Sequence, residues 1–203
     1  MKKLGWFLLG ALALAVVEFA AARIAIGQAQ GLSARAAPSG IEGWIARRAR
    51  AAAMPVAARN QPNPVAKTPE VLAGARAHWA DHCAGCHGND GSGESVMGQR
   101  LYPPAPDMRK PETQNLSDGE LFYIIQNGIR LTGMPAWGGS EHDAEDSWKL
   151  VHFIRHLPEL TFEERKEMEK LNPKGPEDLK EEEDEEKFLK GESTDEPQQH
   201  HHH

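Results

Sequence analysis

The feature that most restricts how this chain can fold is a motif of five residues near its middle, Cys83-Ala84-Gly85-Cys86-His87. The two thiols lie three positions apart, and this spacing lets both of them add to the two vinyl groups of one haem ring. The residue that follows is then placed under the iron. The motif therefore predicts one covalent haem c, attached through Cys83 and Cys86 and coordinated by His87, around which the chain has to fold.

A CxxC pair also occurs in redox dithiols, zinc sites and short disulfides. A zinc site needs further ligands of the same kind, and the chain contains no cysteine besides these two. A thioredoxin-like dithiol lies in a βαβ unit, and no segment of this sequence has the pattern of a strand. The histidine directly after the second cysteine therefore favours haem over these alternatives.

The second axial ligand of the iron has to come from another part of the chain. Met134 is the best candidate, because it lies in a loop between Gly133 and Pro135, where a thioether is free to reach the opposite face of the ring. If Met134 does not ligate, the iron is open, and the chain would bind a gas or decompose peroxide. The rival ligands are Met97, Met108, His78, His82, His142, His152 and His156.

Helix signals recur through the middle of the chain. Thr68 is a predicted N-cap, and the helix that it opens runs to about Asp81. Ser117 and Glu120 form a capping-box pattern that opens a helix through about Ile125.

Two more helices are predicted after these. Residues 146–157 have apolar side chains at helical spacing, and Pro158 ends that helix. Thr161 and Glu164 repeat the capping pattern for a short helix. Because every element is helical, the sequence predicts an all-α domain over residues 68–158.

The first 27 residues predict a membrane segment. Two lysines precede an apolar stretch over residues 4–27, which is long enough to span a bilayer, and its charged residues Glu18 and Arg23 lie toward the far end. The sequence favours an uncleaved anchor, although Ala20-Ala21-Ala22 also offers the cleavage site of a signal peptide. In both cases the lysines place the rest outside the cytoplasm, on the periplasmic side of a bacterial inner membrane.

The net charge of the whole chain is −7, which argues against a nucleic-acid partner, and the charge is unevenly distributed after residue 27. Residues 28–67 form a basic linker rich in Ala, Arg and Pro, with either an amphipathic helix for a membrane surface or a plain linker helix. Residues 159–203 carry sixteen Asp/Glu against seven Lys/Arg, which predicts an acidic tail, helical or disordered. Its end, His200–His203, is interpreted as an expression tag or a native metal site.

Residues 68–158 resemble the class I cytochrome c family in several segments. These are the helix before the CxxCH motif, the proline-rich loop after it, YIIQNG, GMPAW and the final helix WKLVHFIRHL. The resemblance implies a helical fold around the haem, with crossing first and last helices, and a carbonyl of Pro103 or Pro104 that accepts a hydrogen bond from His87. The residues that would meet at the crossing are Ala75, Trp79, Trp148 and Phe153.

An iron with both axial positions filled has no place for a substrate, so the expected function is single-electron transfer and not enzymatic turnover. The anchor and the acidic tail favour an anchored shuttle, or a haem subunit of a respiratory or photosynthetic membrane complex. Negative charge steers association with a basic surface, so the expected partner is a membrane redox protein with a basic docking face. The alternative is that the acidic tail only keeps the chain soluble.

Overall fold

The computed structural model describes residues 2–28 and 33–190, so His200–His203 lie outside the described residues. Within these two ranges every regular element is helical and no strand is found, which confirms the predicted all-α class. The α-helices are α1 Lys2–Gln28, α2 Gly40–Ala53, α3 Val56–Arg59, α4 Pro69–His78, α5 Ala84–His87, α6 Pro111–Gln114, α7 Asp118–Asn127, α8 Glu141–His156, α9 Phe162–Glu169 and α10 Pro176–Leu189. A π-helical turn spans Trp79–Cys83, and 3₁₀ turns span Gly98–Arg100 and Leu157–Glu159.

The apolar helix α1 fits a membrane anchor. Its segment Lys3–Gly27 is long and apolar enough to cross a bilayer, and none of its side chains is buried by the rest of the protein.

The helix that begins after Thr68 is longer than predicted. The Thr68 hydroxyl accepts a hydrogen bond from the Val71 backbone N–H at 3.2 Å, as an N-cap does. The chain does not leave the helix near Asp81. The π-helical turn follows α4 instead, with the Ala84 N–H bonded to the Trp79 carbonyl, and α5 continues directly from it. One nearly continuous helical stretch therefore leads from Pro69 into the CxxCH motif.

The predicted capping boxes are both present. At the start of α7, the Glu120 N–H donates to the Ser117 hydroxyl, and the Glu120 carboxylate accepts from the Ser117 N–H at 2.8 Å. Thr161 and Glu164 make the same pair of bonds at the start of α9. Helix α8 begins earlier than its predicted start at residue 146, because the Ser140 side chain caps it.

Helices α4 and α8 pack against each other and form the centre of the core. The rings of Trp79 and Phe153 have centroids 5.4 Å apart. Trp148 stacks on Phe122, with centroids 4.0 Å apart and planes 5° apart. These aromatic residues join Ala75 in one apolar cluster, and Phe122 is the only one of the five that is not fully buried. The predicted meeting of the first and last helices is therefore confirmed.

The end of the predicted linker packs on this helical core. The Ser117 hydroxyl donates to the Arg59 carbonyl at 2.7 Å, and the Asn63 amide donates to the Trp148 carbonyl at 3.0 Å. A Cβ added to Gly119 would lie 1.9 Å from the Ala58 carbonyl oxygen, so α3 approaches the start of α7 at a distance that only glycine permits. Residues 54–65 therefore belong to the folded unit.

The first part of the predicted acidic tail also packs on the core. Arg76 of α4 makes ion pairs with Glu164 at 3.1 Å and Glu167 at 2.7 Å. Glu164 also contacts His156 at 2.9 Å. Met168 is fully buried and belongs to the apolar core cluster. The chain becomes an exposed, solvated helix only in α10, in which residues 183–189 are all exposed.

Replacing Met168 by alanine tests whether α9 is part of the folded unit. Because a fully buried methionine loses its packing and leaves a cavity, we expect the free energy of unfolding to fall by about 2–5 kcal/mol. Guanidinium unfolding followed by far-ultraviolet circular dichroism measures the change. Met97→Ala is the matched control, since Met97 is 59% exposed. Equal stabilities of the two variants would show that α9 does not contribute.

Candidate haem site

The CxxCH motif lies where the π-helical turn meets α5. Cys83 ends the turn, and Cys86 and His87 lie one helical turn further along the chain. The two cysteines do not form a disulfide with each other, and both are partly buried. Burial, followed by the neighbouring Cys86, raises the pKa of the Cys83 thiol to about 12. Redox dithiols depend on a lowered thiol pKa, so this environment opposes that interpretation and leaves the thiols as attachment points.

The His87 imidazole is buried next to the core. Burial lowers its pKa, so the ring is neutral at physiological pH and keeps a nitrogen lone pair for a metal. Its centroid lies 5.7 Å from that of Trp79, and its Nδ1 is buried without a hydrogen-bond partner. A neutral, buried imidazole directly after the second thiol, with an aromatic ring beside it, fits an axial ligand of a bound haem.

The loop after the motif closes over the end of α5. The Ser95 hydroxyl lies 2.7 Å from the Gly85 carbonyl and 2.9 Å from the Cys86 carbonyl, and the Gly93 N–H donates to the His87 carbonyl at 2.8 Å. A Cβ on Gly98 would lie 2.0 Å from the Cys86 carbonyl oxygen. Neither Ser95 nor Gly98 was predicted from the sequence, although a glycine eleven residues after the motif was a visible signal of this close approach.

The proline-rich loop lies beside this segment. Its backbone is fastened by bonds from the Ala105 N–H to the Gly98 carbonyl at 3.0 Å and from the Met108 N–H to the Gly91 carbonyl at 2.8 Å. The expected hydrogen bond from His87 to a carbonyl of Pro103 or Pro104 is wrong here, because His87 Nδ1 has no partner. The loop is held by its own backbone bonds and not by the histidine.

Met134 lies on a loop that is fixed to the end of α7. Gly128 ends that helix with φ +64° and ψ −168°, a region open essentially only to glycine. A Cβ there would lie 2.6 Å from the Pro135 carbonyl carbon. Further along, the Trp137 N–H donates to the Ile125 carbonyl at 3.0 Å. The half-buried Met134 is therefore held between two points of contact with α7.

Two contacts join the Met134 loop to the segments before and after the CxxCH motif. The ring of Trp137 stacks on that of His82, which immediately precedes Cys83, with centroids 5.6 Å apart and planes 17° apart. On the other side, a Cβ on Gly133 would lie 2.6 Å from a methyl carbon of Leu101.

The rival ligands are occupied or exposed. The histidines all contact protein groups: His78 and His142 contact Asp146, His82 contacts Asp81, His152 contacts the Val65 carbonyl, and His156 contacts Glu164. Met97 is exposed, and Met108 packs on the apolar core. No group of three His, Cys, Asp or Glu residues in the described part of the chain could hold a metal ion, which also opposes a zinc site.

Replacing Gly128 by alanine tests how the Met134 loop is held. Because a side chain at this φ is strained and would overlap the Pro135 backbone, we expect a loss of about 1–3 kcal/mol in the free energy of unfolding. The displaced loop should also weaken the absorption band that reports a methionine–iron bond. Gly139→Ala is the control, since the nearest atom to its added Cβ is 3.4 Å away. An unchanged band in both variants would contradict a positioning role.

Comparison with known families gives one match within the chain. Residues 70–154 match the family described as cytochrome C oxidase, cbb3-type, subunit III. A search of the curated proteins finds no match. The matched segment begins in α4 and ends in α8, so it contains the CxxCH motif, the proline-rich loop and the Met134 loop. Residues 70–154 are therefore a c-type cytochrome domain with the class I monohaem fold.

Proposed function

We propose that the chain carries single electrons at a membrane, with one haem c attached to Cys83 and Cys86 and coordinated by His87 and Met134. When bound, the haem supplies a one-electron couple at an iron whose two axial positions are filled. The observation that carries the proposal is the buried, neutral His87 directly after the second thiol of the CxxCH motif, with its ring centroid 5.7 Å from that of Trp79.

The residues around the motif keep the ligands in place and exclude water. Trp79 and Phe153 form an aromatic wall behind His87, and the Trp79 indole N–H donates to the Gly88 carbonyl at 3.0 Å. Gly128 and the Trp137 backbone hold the Met134 loop against α7. Ligands on such fixed elements change little in position between two oxidation states, which suits electron transfer.

The visible spectrum of the full chain tests this proposal. The oxidised protein should show the weak band near the red end of the spectrum that reports methionine–iron bonding, and a redox titration should fit one electron. Carbon monoxide should not bind to the reduced protein. A missing band together with carbon monoxide binding would favour the open-site alternative, a gas-binding or peroxide-decomposing protein.

The membrane setting follows from α1. We place the cytochrome domain on the periplasmic side of a bacterial inner membrane, because the two lysines precede the apolar helix. Its family makes other membrane redox proteins the general class of partner. The chain is then either an anchored shuttle or the cytochrome subunit of a larger oxidoreductase, while the domain itself transfers electrons and does not transform a substrate.

Deleting residues 176–203 tests for a partner with a basic face. If the acidic tail steers docking, the truncated chain should be reduced by native membranes about 10- to 1,000-fold more slowly at low ionic strength, and the two rates should converge at high salt. Helix α9 and its buried Met168 are retained, so the core stays intact. A faster rate with a more expanded molecule would indicate a tail that folds over the basic linker. Equal rates and sizes would leave solubility as its role.

A further inference from the structure

Helix α2 presents an apolar face to the outside of the molecule. Ile41, Trp44 and Ile45 are 75%, 56% and 54% exposed. Their spacing of three and four residues places them on one side of the helix. The helix is well formed, because the Ser39 hydroxyl accepts a hydrogen bond from the Glu42 N–H at 3.2 Å. A rigid face of two isoleucines and a tryptophan is costly to leave in water.

The opposite side of α2 is held by the cytochrome domain. The Tyr102 hydroxyl donates to the Glu42 carboxylate. Arg50 is partly buried, and burial, opposed by the nearby Glu120, lowers its pKa. Directly after the helix, Met54 is buried, and its carbonyl accepts a hydrogen bond from Arg59. The helix is therefore tied to the domain, and the exposed apolar face points away from it.

The charge around this face is basic. Five arginines and one acidic residue lie between residues 33 and 59, and that acid, Glu42, is engaged with Tyr102. Arg48 lies among the apolar residues, with its guanidinium carbon 5.6 Å from the centroid of the Trp44 ring. A helix face that combines tryptophan, isoleucine and arginine is typical of helices that lie at the headgroup level of a bilayer. There the guanidinium groups contact lipid phosphates.

Chain length keeps α2 close to a membrane. Gly40 follows Gln28, the last residue of α1, by twelve positions. Twelve residues span at most about 40 Å when fully extended, and less in any other conformation. Because the linker is short, the lipid surface around the anchor is the apolar phase with the highest local concentration near α2.

We propose that α2 lies flat on an anionic lipid surface, with Ile41, Trp44 and Ile45 inserted between the headgroups. This inference rests on the anchoring part of the proposed function. Because the other side of α2 is tied to the domain, the membrane contact orients the domain as well as tethering it. The side that carries α3 and the start of α7 then lies toward the lipid.

Two alanine-to-cysteine variants of the full chain test the inference. Ala52 lies seven residues after Ile45 on the apolar face, whereas Ala46 lies two residues after Trp44, on the far side, and both are exposed. Thioether formation consumes Cys83 and Cys86 in the holoprotein, so the new cysteine is the single thiol to which a spin label is attached. The labelled chains are placed in phosphatidylglycerol vesicles, and collision rates with oxygen and a water-soluble nickel complex are measured.

We expect the label at position 52 to be several-fold less accessible to nickel, and more accessible to oxygen, than the label at 46, at a depth of about 5–10 Å. If the chain stays with the vesicles but the two positions are equally accessible to nickel, this inference alone is overturned. The apolar face of α2 would then bind a protein partner instead of lipid. A chain that leaves the vesicles would overturn the anchor and this inference together. Extra labelling at positions 83 and 86 would instead contradict covalent haem attachment.

Discussion

Replacing Cys83 and Cys86 together by alanine should remove all covalent haem from the chain. These are the only two thiols in the sequence, and thioethers to the vinyl groups can form nowhere else. Acid–organic extraction removes haem that is held by axial ligands alone and leaves thioether-bound haem with the protein. We therefore expect the wild-type pellet to stay red, with a mass increased by one haem, and the pellet of the double variant to be colourless.

The single variants Cys83→Ala and Cys86→Ala are the matched controls. Each keeps one thiol, so each should retain haem through extraction by a single thioether. The unreacted vinyl group should then move the main band of the pyridine haemochrome to longer wavelength. Colour that persists in the double variant would show that the attachment is not at the CxxCH motif.

Replacing Met134 by alanine should lower the reduction potential and open the iron to carbon monoxide. Methionine ligation favours ferrous iron, so its loss favours the ferric state. We expect a fall on the order of 0.1 V or more, within the roughly 0.8 V range over which axial ligands set haem potentials. A potentiometric titration and a carbon monoxide difference spectrum measure the two effects.

Met97→Ala is the control for this change, because Met97 is an exposed methionine in another loop. It should leave both the potential and the carbon monoxide spectrum unchanged. If Met134→Ala behaves like Met97→Ala, another residue ligates the iron. If Met97→Ala shows the effects instead, the ligand lies in the loop that follows the motif.

The sequence predicted those parts of the fold that depend on local chemistry. Caps at Thr68, Ser117 and Thr161 could be recognised because the side-chain bonds that start a helix span only three residues. The apolar spacing of residues 146–157 located the last helix of the domain for the same reason. The haem attachment site could be predicted from the CxxCH motif alone, since its two thiols and its imidazole are close together in the chain.

Features that depend on packing between distant segments were not predicted. Residues 54–65 lie in the segment 28–67 that its composition predicts as a linker, yet Asn63 and Val65 bond to α8. Helix α9 was assigned to the acidic tail because its composition is acidic, yet Arg76, far away in sequence, pairs with its glutamates. The unpartnered Nδ1 of His87 likewise depends on how a remote proline-rich loop is held.

The π-helical turn at Trp79–Cys83 has a consequence for attempts to move this haem motif into other proteins. Such a turn contains one residue more than a regular helical turn, and each residue advances an α-helix by about 100°. It therefore sets the rotation of Cys86 and His87 relative to Ala75, which faces α8. A designer who copied CxxCH onto a straight helix would keep both thiols and the imidazole but turn them by about 100° relative to the face that packs on the core. The transferable unit is the irregular turn together with the motif, and a deletion of one residue within the turn, before Cys83, is the smallest change that would keep a helix and lose the site.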